Sequence, residues 1–258
     1  MNPLLDPANI EAFGLYLVRT STMVLAAPLL GQTLSSSGTK IALIIALSAV
    51  SFSASGEPLP EVYAAPIFAV MALREALIGF FLALIMQLGV MVVRVMGELL
   101  SLDMGLQMAN QVDPGTGVSS SIVTLIYEGF AILGLLAVNA HHWVVQSLVD
   151  SFERAPVGSM SAQLGVTDFV VGLFGEAISA GVAFGAPFMV LMAMVSVMVG
   201  LLARTVPQIN VLELGFTLRV GVALIVMLIL SPVMAPLFGG IFEDVRYWTA
   251  SGLDALGG

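Results

Sequence analysis

Few side chains in this sequence could do chemistry, and the densest group of them lies in one run, Gly105 to Gly117. It holds Gln107, Asn110, Gln111, Asp113 and Thr116, set among Gly105, Met108, Pro114, Gly115 and Gly117. Amide side chains donate and accept hydrogen bonds without carrying charge, and Asp113 is the one ionisable group here, so the run suits wet hydrogen bonding more than ion pairing. Pro114 and the glycines break a regular helix, and Asp113 before a proline favours a turn. Irregular polar backbone in a membrane-type chain survives only where water or other protein satisfies it. The run is therefore either an ordinary water-exposed loop or a segment lining an internal aqueous path.

The remaining reactive residue types do not assemble into a motif. His141 and His142 are the two histidines. As neighbours on a helix they point about 100° apart and would not readily share one metal ion. Histidines at a helix end beside Trp143 are the plainer reading. HExxH, G-x-S-x-G and Walker A patterns are missing. Asp103 and Asp113 stand on either side of the expected helix break, which does not suit an aspartyl protease. The sequence predicts no catalytic residue, no metal site and no cofactor.

The surrounding chain explains why polar groups are so sparse. Of 258 residues, 59% are hydrophobic and 10% charged, with a mean hydropathy of +1.04. Soluble domains carry about 25% charged residues, so the composition indicates an integral membrane protein. A net charge of −9, with Lys40 the only lysine, leaves no basic patch for nucleic acid. The absence of cysteine excludes disulfides and thiolate chemistry. Met1 to Glu11 lacks the basic residues of a cleaved signal, so insertion is expected to use the apolar segments themselves.

About six apolar elements are predicted. Ile10–Leu30 is interrupted by Arg19 and Pro28. Ile41–Ala54 falls short of the roughly 20 residues a helical crossing takes. Val62–Val93 and Val118–Val149 are long, with a polar connection expected over Asp150–Thr167. Ala177–Ala203 and Val220–Phe242 are the cleanest spans, and Ser231–Pro236 is expected to kink or break the last of them. Between these two lies a second polar run, Arg204 to Val211. Arg74, Glu75, Glu128 and Glu176 fall inside or at the edges of apolar stretches, where a charge costs about 2.5–3.5 kcal/mol on insertion scales. Either they snorkel to an interface or these segments pack against protein. Arg94 and Glu98 are spaced to pair along one helix face, and Gly181-xxx-Gly185 allows close helix contact. Met189, Met192, Met194 and Met198 read first as core filling, though thioethers also suit adaptable partner surfaces.

Several separated segments carry a resemblance. Arg19 to Pro28 followed by Leu29-Leu-Gly31, then Glu75 with Gly79, are similar to the N-terminal helix and an E-x-x-x-G segment of the FliR family of flagellar and related type III secretion export gates. Asp103 to Gln107 leading to Asp113-Pro114 resembles that family's central loop. Asn139-Ala-His-His-Trp143, Ser151-Phe-Glu-Arg-Ala-Pro-Val-Gly158, Arg204 to Asn210 and Gly215 follow in the family's order, with Ala140 in place of an expected glycine. The matches span nearly the whole chain.

The resemblance implies an all-α membrane protein of bent and broken helical hairpins, packed in a hetero-oligomeric export gate. It implies FliP-type and FliQ-type membrane subunits and an FlhB-type switch subunit as partners, and unfolded export substrates as cargo. Residues 1–164 would be FliP-like and 165–258 a FliQ-like hairpin, in the bacterial inner membrane at the flagellar basal body. Gly105, Gln107, Met108, Asn110, Gln111, Asp113, Pro114 and Gly117 would belong to a loop that plugs the closed pore. Arg204, Pro207, Gln208 and Asn210 would form either a partner-contacting turn near the cytoplasmic entrance or a plain hairpin turn. The alternatives are an ion-coupled transporter or channel using Glu75, Glu128 and Glu176, a purely structural assembly subunit, or the gate of a virulence injectisome. No internal repeat of the transporter kind is visible.

Overall fold

A computed structural model describes residues 7–28, 36–56, 59, 62–105, 121–157, 165–205 and 211–257. Among them the regular structure is entirely helical: α1 (Pro7–Ala26), α2 (Ser37–Ser55), α3 (Ala65–Met104), α4 (Ile122–Ala137), α5 (Ala140–Arg154), α6 (Gly165–Thr205) and α7 (Val211–Gly257). The apolar runs dictate this, because a chain without water around it must satisfy its backbone internally. Local signals set the ends. The Ser36 hydroxyl accepts from the Thr39 N–H at 3.2 Å and caps α2, while the Gly56 N–H closes its last turn on the Phe52 carbonyl at 2.8 Å.

Among the described residues, three helical stretches are long and apolar enough to cross a membrane: Ser37–Ala54, Ala65–Met104 and Asp168–Thr205. The pair α4 and α5, bent by 72°, could form a fourth. The structure departs from the sequence reading in four places. Ile41–Ala54 is extended by Ser37 to Lys40 into an 18-residue apolar stretch of sufficient length. The single element expected over Val118–Val149 is two helices, because Asn139 sits in the left-handed region at φ 58°. Asp150 to Arg154 is the last turn of α5 and no loop. Finally, of the kink or break expected at Ser231–Pro236, the break does not occur, since α7 is assigned as one helix through Pro232 and Pro236; membrane helices tolerate proline where local adjustments satisfy the freed carbonyls.

The chain divides into two compact units. Unit 1 contains Met1–Leu88, Leu136–Leu173 and Phe242–Gly258. Its core joins Tyr16 and Met23 of α1, Leu82 and Met86 of α3, Val144, Leu148 and Phe152 of α5, and Leu253 of α7. The Tyr16 and Phe152 rings stack at 4.0 Å, and the Phe52 ring meets Tyr16 edge-on at 5.4 Å.

Unit 2 contains Gly89–Leu135 and Phe174–Ile241. Here Gly181 of α6 lies so close to α3 that a Cβ would come within 2.8 Å of Val95 and 2.9 Å of the Val92 carbonyl. The small-xxx-small spacing thus marks a real helix contact. Met192 is buried in this unit, whereas Met194 and Met198 lie on an exposed apolar face with Val190 and Val197.

Candidate functional site

At the centre of unit 1 one guanidinium organises three helices. Arg19 of α1 is fully buried, as is Glu75 of α3. Arg19 Nε donates to Glu75 Oε2 at 2.6 Å, and Nη2 approaches the same oxygen at 2.5 Å. Nη1 donates to the Ser151 carbonyl at 2.7 Å and to the Ser151 hydroxyl at 3.2 Å, and Nη2 donates to the Ala155 carbonyl at 2.8 Å. The guanidinium also lies 4.2 Å from the Phe152 ring centroid, a cation–π contact.

Each bond has a physical reason. The last carbonyls of a helix carry partial negative charge, so a cation at the end of α5 is favoured, even though the Ser151 carbonyl also accepts from the Ala155 N–H at 3.0 Å. An uncompensated charge in an apolar interior is expensive, and Glu75 supplies the compensation. One turn after Glu75, Gly79 lets α3 press on α1. A Cβ there would come within 2.2 Å of Thr22 Oγ1 and 2.3 Å of the Arg19 carbonyl, closer than any side chain can sit. Farther along α3, Gln87 Nε2 donates to the Ala26 carbonyl at 3.0 Å and secures the other end of the same contact.

In unit 2 the polar residues flanking residues 106–120 are tied down. Glu98 Oε1 accepts from Thr124 Oγ1 at 2.9 Å and from the Ser121 N–H at 3.3 Å, which fixes the start of α4. Arg94 Nε donates to Glu128 Oε1 at 2.6 Å. The predicted Arg94–Glu98 pair is therefore replaced by two bonds from α3 to α4. Longer reach between antiparallel helices wins because each acidic group also satisfies a donor on the neighbouring helix. Neither the Arg219 Nε nor the Asp103 Oδ2, both buried atoms, has a hydrogen-bond partner among the described residues.

Of the residues expected in the central loop, Gly105 is described and adopts φ 74°, a left-handed conformation that ends α3 in the manner usual for glycine. Gln107, Met108, Asn110, Gln111, Asp113, Pro114 and Gly117 lie outside the described residues. Arg204 is exposed in the last turn of α6; Pro207, Gln208 and Asn210 lie outside the described residues. Glu128 is taken up by Arg94, and Glu176 is exposed on α6. The paired histidines place their rings 4.2 Å apart, and no group of three metal-ligating side chains occurs among the described residues.

Sequence reading missed the Arg19 hub as a unit. The signal was present: one arginine in α1 and one glutamate in α3, opposite in sign and each embedded in apolar sequence, call for one another. The hub also explains the sequence resemblance. Arg19, the Glu75/Gly79 pair and Ser151-Phe152 belong to three separately recognised segments, and the fold brings them to one point. Asn139, from a fourth segment, makes the joint between α4 and α5.

Residues 10–245 match the family described as bacterial export proteins, family 1. The chain is 28% identical to the flagellar biosynthetic protein FliR of Bacillus subtilis (strain 168), over 94% of each chain. It is 29% identical to the flagellar biosynthetic protein FliR of Escherichia coli (strain K12), over 89% of this chain and 87% of that one. A more distant relative, the surface presentation of antigens protein SpaR of Shigella sonnei, is 21% identical over 61% of each. With the match covering most of its length and including every helix of the Arg19 hub, the chain belongs to the FliR family of bacterial export proteins.

Proposed function

We propose that this chain is a membrane subunit of the flagellar protein-export gate, and that it forms, with FliP-type and FliQ-type subunits, the channel entrance through which unfolded flagellar proteins leave the cell. The observation that carries this reading is the convergence of the family's separated segments on the Arg19–Glu75 hub, which supports the same scaffold in this chain as in its flagellar relatives. Such a subunit resides in the bacterial inner membrane at the flagellar basal body, next to an FlhB-type switch subunit. Residues 1–164 act as a FliP-like part and 165–258 as a FliQ-like hairpin. In support, α6 and α7 are long helices in direct contact, a Cβ at Gly215 falling 3.1 Å from Val199 Cγ1.

The run Gly105–Gly117 serves as a movable stopper of the closed pore. Its amides and glycines suit a wet, crowded lumen, and Glu98 holds the helix that follows it. Arg204, Pro207, Gln208 and Asn210 form the turn that meets partner subunits near the cytoplasmic side. Purification through this chain, followed by mass analysis, tests the assignment: two further membrane subunits of the gate should co-purify, and their absence would remove the proposal. In that assembled complex, deletion of Gln107–Asp113 should raise leakage of ions or small solutes. Unchanged leakage would refute the stopper while leaving the gate assignment standing. Arg204→Ala should weaken co-purification; unaltered assembly would reduce the turn to a plain connection.

A further inference from the structure

Unit 1 carries a polar cleft that the export reading does not use. Trp143, Gln146, Asp150 and Arg154 follow one another along one face of α5. Glu243, Arg246, Tyr247 and Ala250 do the same on the last part of α7. Together they line an open cleft of about 410 Å³. The opposite faces of both helices are buried, through Val144, Leu148 and Phe152 on α5 and Val245, Trp248 and Leu253 on α7. The two polar faces are therefore held in place by a packed core.

The charges in this cleft are mixed and largely unspent. Arg154 pairs with Asp254. Asp150, Glu243 and Arg246 make no ion pair among the described residues. The Arg246 guanidinium stands 6.0 Å from the centroid of the Phe242 ring, which Trp143 meets edge-on at 5.6 Å. Tyr247 is 70% exposed.

This pattern discriminates among ligands. A purely anionic headgroup would meet two carboxylates, and a purely basic peptide would meet two arginines. A zwitterion bearing both a phosphate and a primary ammonium answers every group. Guanidinium forks bind phosphate oxygens, and an ammonium has three N–H donors for the carboxylates. The position fits as well. The charged turn Glu243–Arg246 directly follows the uncharged stretch Val220–Phe242, and tryptophan and tyrosine beside such a junction are the usual residents of a membrane–water interface.

We propose that the cleft between α5 and the end of α7 binds the headgroup of a phosphatidylethanolamine-type lipid, with Arg246 and Arg154 on the phosphate and Asp150 and Glu243 on the ammonium. The full chain, purified in mild detergent, is offered an equimolar mixture of phosphatidylethanolamine, phosphatidylcholine and phosphatidylglycerol, and retained lipid is read by native mass spectrometry. Phosphatidylethanolamine should be retained about tenfold over phosphatidylcholine, whose quaternary nitrogen offers no N–H. Asp150→Asn combined with Glu243→Gln should erase that preference while leaving phosphatidylcholine retention unchanged. Arg246→Gln should lower retention of both lipids. Equal retention of the two by the unaltered chain, a preference for phosphatidylglycerol, or a preference that survives the double substitution would overturn the proposal. A photo-crosslinking residue at Tyr247, used in the assembled complex in cells, adds a second arm. A lipid adduct supports the site, and a protein adduct in its place overturns it.

Discussion

Replacing Glu75 by glutamine would remove a charge from a place where neither partner touches solvent. Breaking a buried pair by removing one partner costs about 3–5 kcal/mol, because the other charge stays behind. Here Arg19 retains the Ser151 and Ala155 carbonyls and the Phe152 ring, so Glu75→Gln should fall at the lower end, about 3 kcal/mol. Arg19→Met loses more. It removes the cation facing the buried Glu75 carboxylate and takes the side-chain donor from the Ala155 carbonyl, worth about 1 kcal/mol net, while the Ser151 carbonyl keeps the Ala155 N–H at 3.0 Å. The double substitution Arg19→Met/Glu75→Met should recover the charge cost and retain only the cost of the Ala155 carbonyl, about 1 kcal/mol. The predicted order of damage is therefore Arg19→Met first, then Glu75→Gln, then the double variant. Apparent unfolding free energies in detergent, combined as a double-mutant cycle, measure it. A loss under about 1 kcal/mol for Arg19→Met, or a double variant as damaged as the sum of the single ones, would refute the hub as argued.

Three further perturbations probe the same scaffold. Gly79→Ala should destabilise by about 1–3 kcal/mol, since the new methyl meets the Arg19 carbonyl; Ala76→Gly on the same helix is the control for backbone effects, and equal losses would count against close approach. Asn139→Val should cost about 1–2 kcal/mol for its left-handed backbone while Asn139→Gly is nearly neutral; thermal unfolding of the two side by side decides it. Glu98→Ala should speed hydrogen exchange at the amides of Ser121 to Thr124 by about tenfold, the equivalent of one charge-assisted hydrogen bond. Exchange unchanged at those amides would mean that Glu98 does not hold the start of α4.

What could be read from the sequence was whatever depends on one stretch of chain at a time. Apolar runs announced the helices, and the order of short motifs announced the family. The far end of α2 was legible to within a residue, at Ala54 against Ser55, whereas its start was missed because Ser37 to Lys40 lack the apolar pattern and the cap at Ser36 was not read. Asn139 carried a local signal too, yet the uninterrupted apolar pattern around it read as one helix, and its bend was missed. Pairings were the least legible. Arg94 and Glu98 have ideal intrahelical spacing, but each bonds to α4, because a partner 26 or 34 residues away in sequence is near in space and satisfies more groups at once. Glu75 was recognised as oddly placed without its partner being named, since nothing local connects it to a residue 56 positions earlier.

That separation has a consequence during synthesis. Arg19 leaves the ribosome long before anything that neutralises it: Glu75 follows 56 residues later and the Ser151 carbonyl 132 residues later. Until Glu75 is made the first helix carries an unpaired cation, which costs about 2.5–3.5 kcal/mol in an apolar phase. Its insertion is thus weaker until Glu75 exists, and a nascent chain halted before Glu75 should be extracted from the membrane more readily than one halted after it. The hub in this way doubles as a completion check, closing only when the chain has been made through the end of α5.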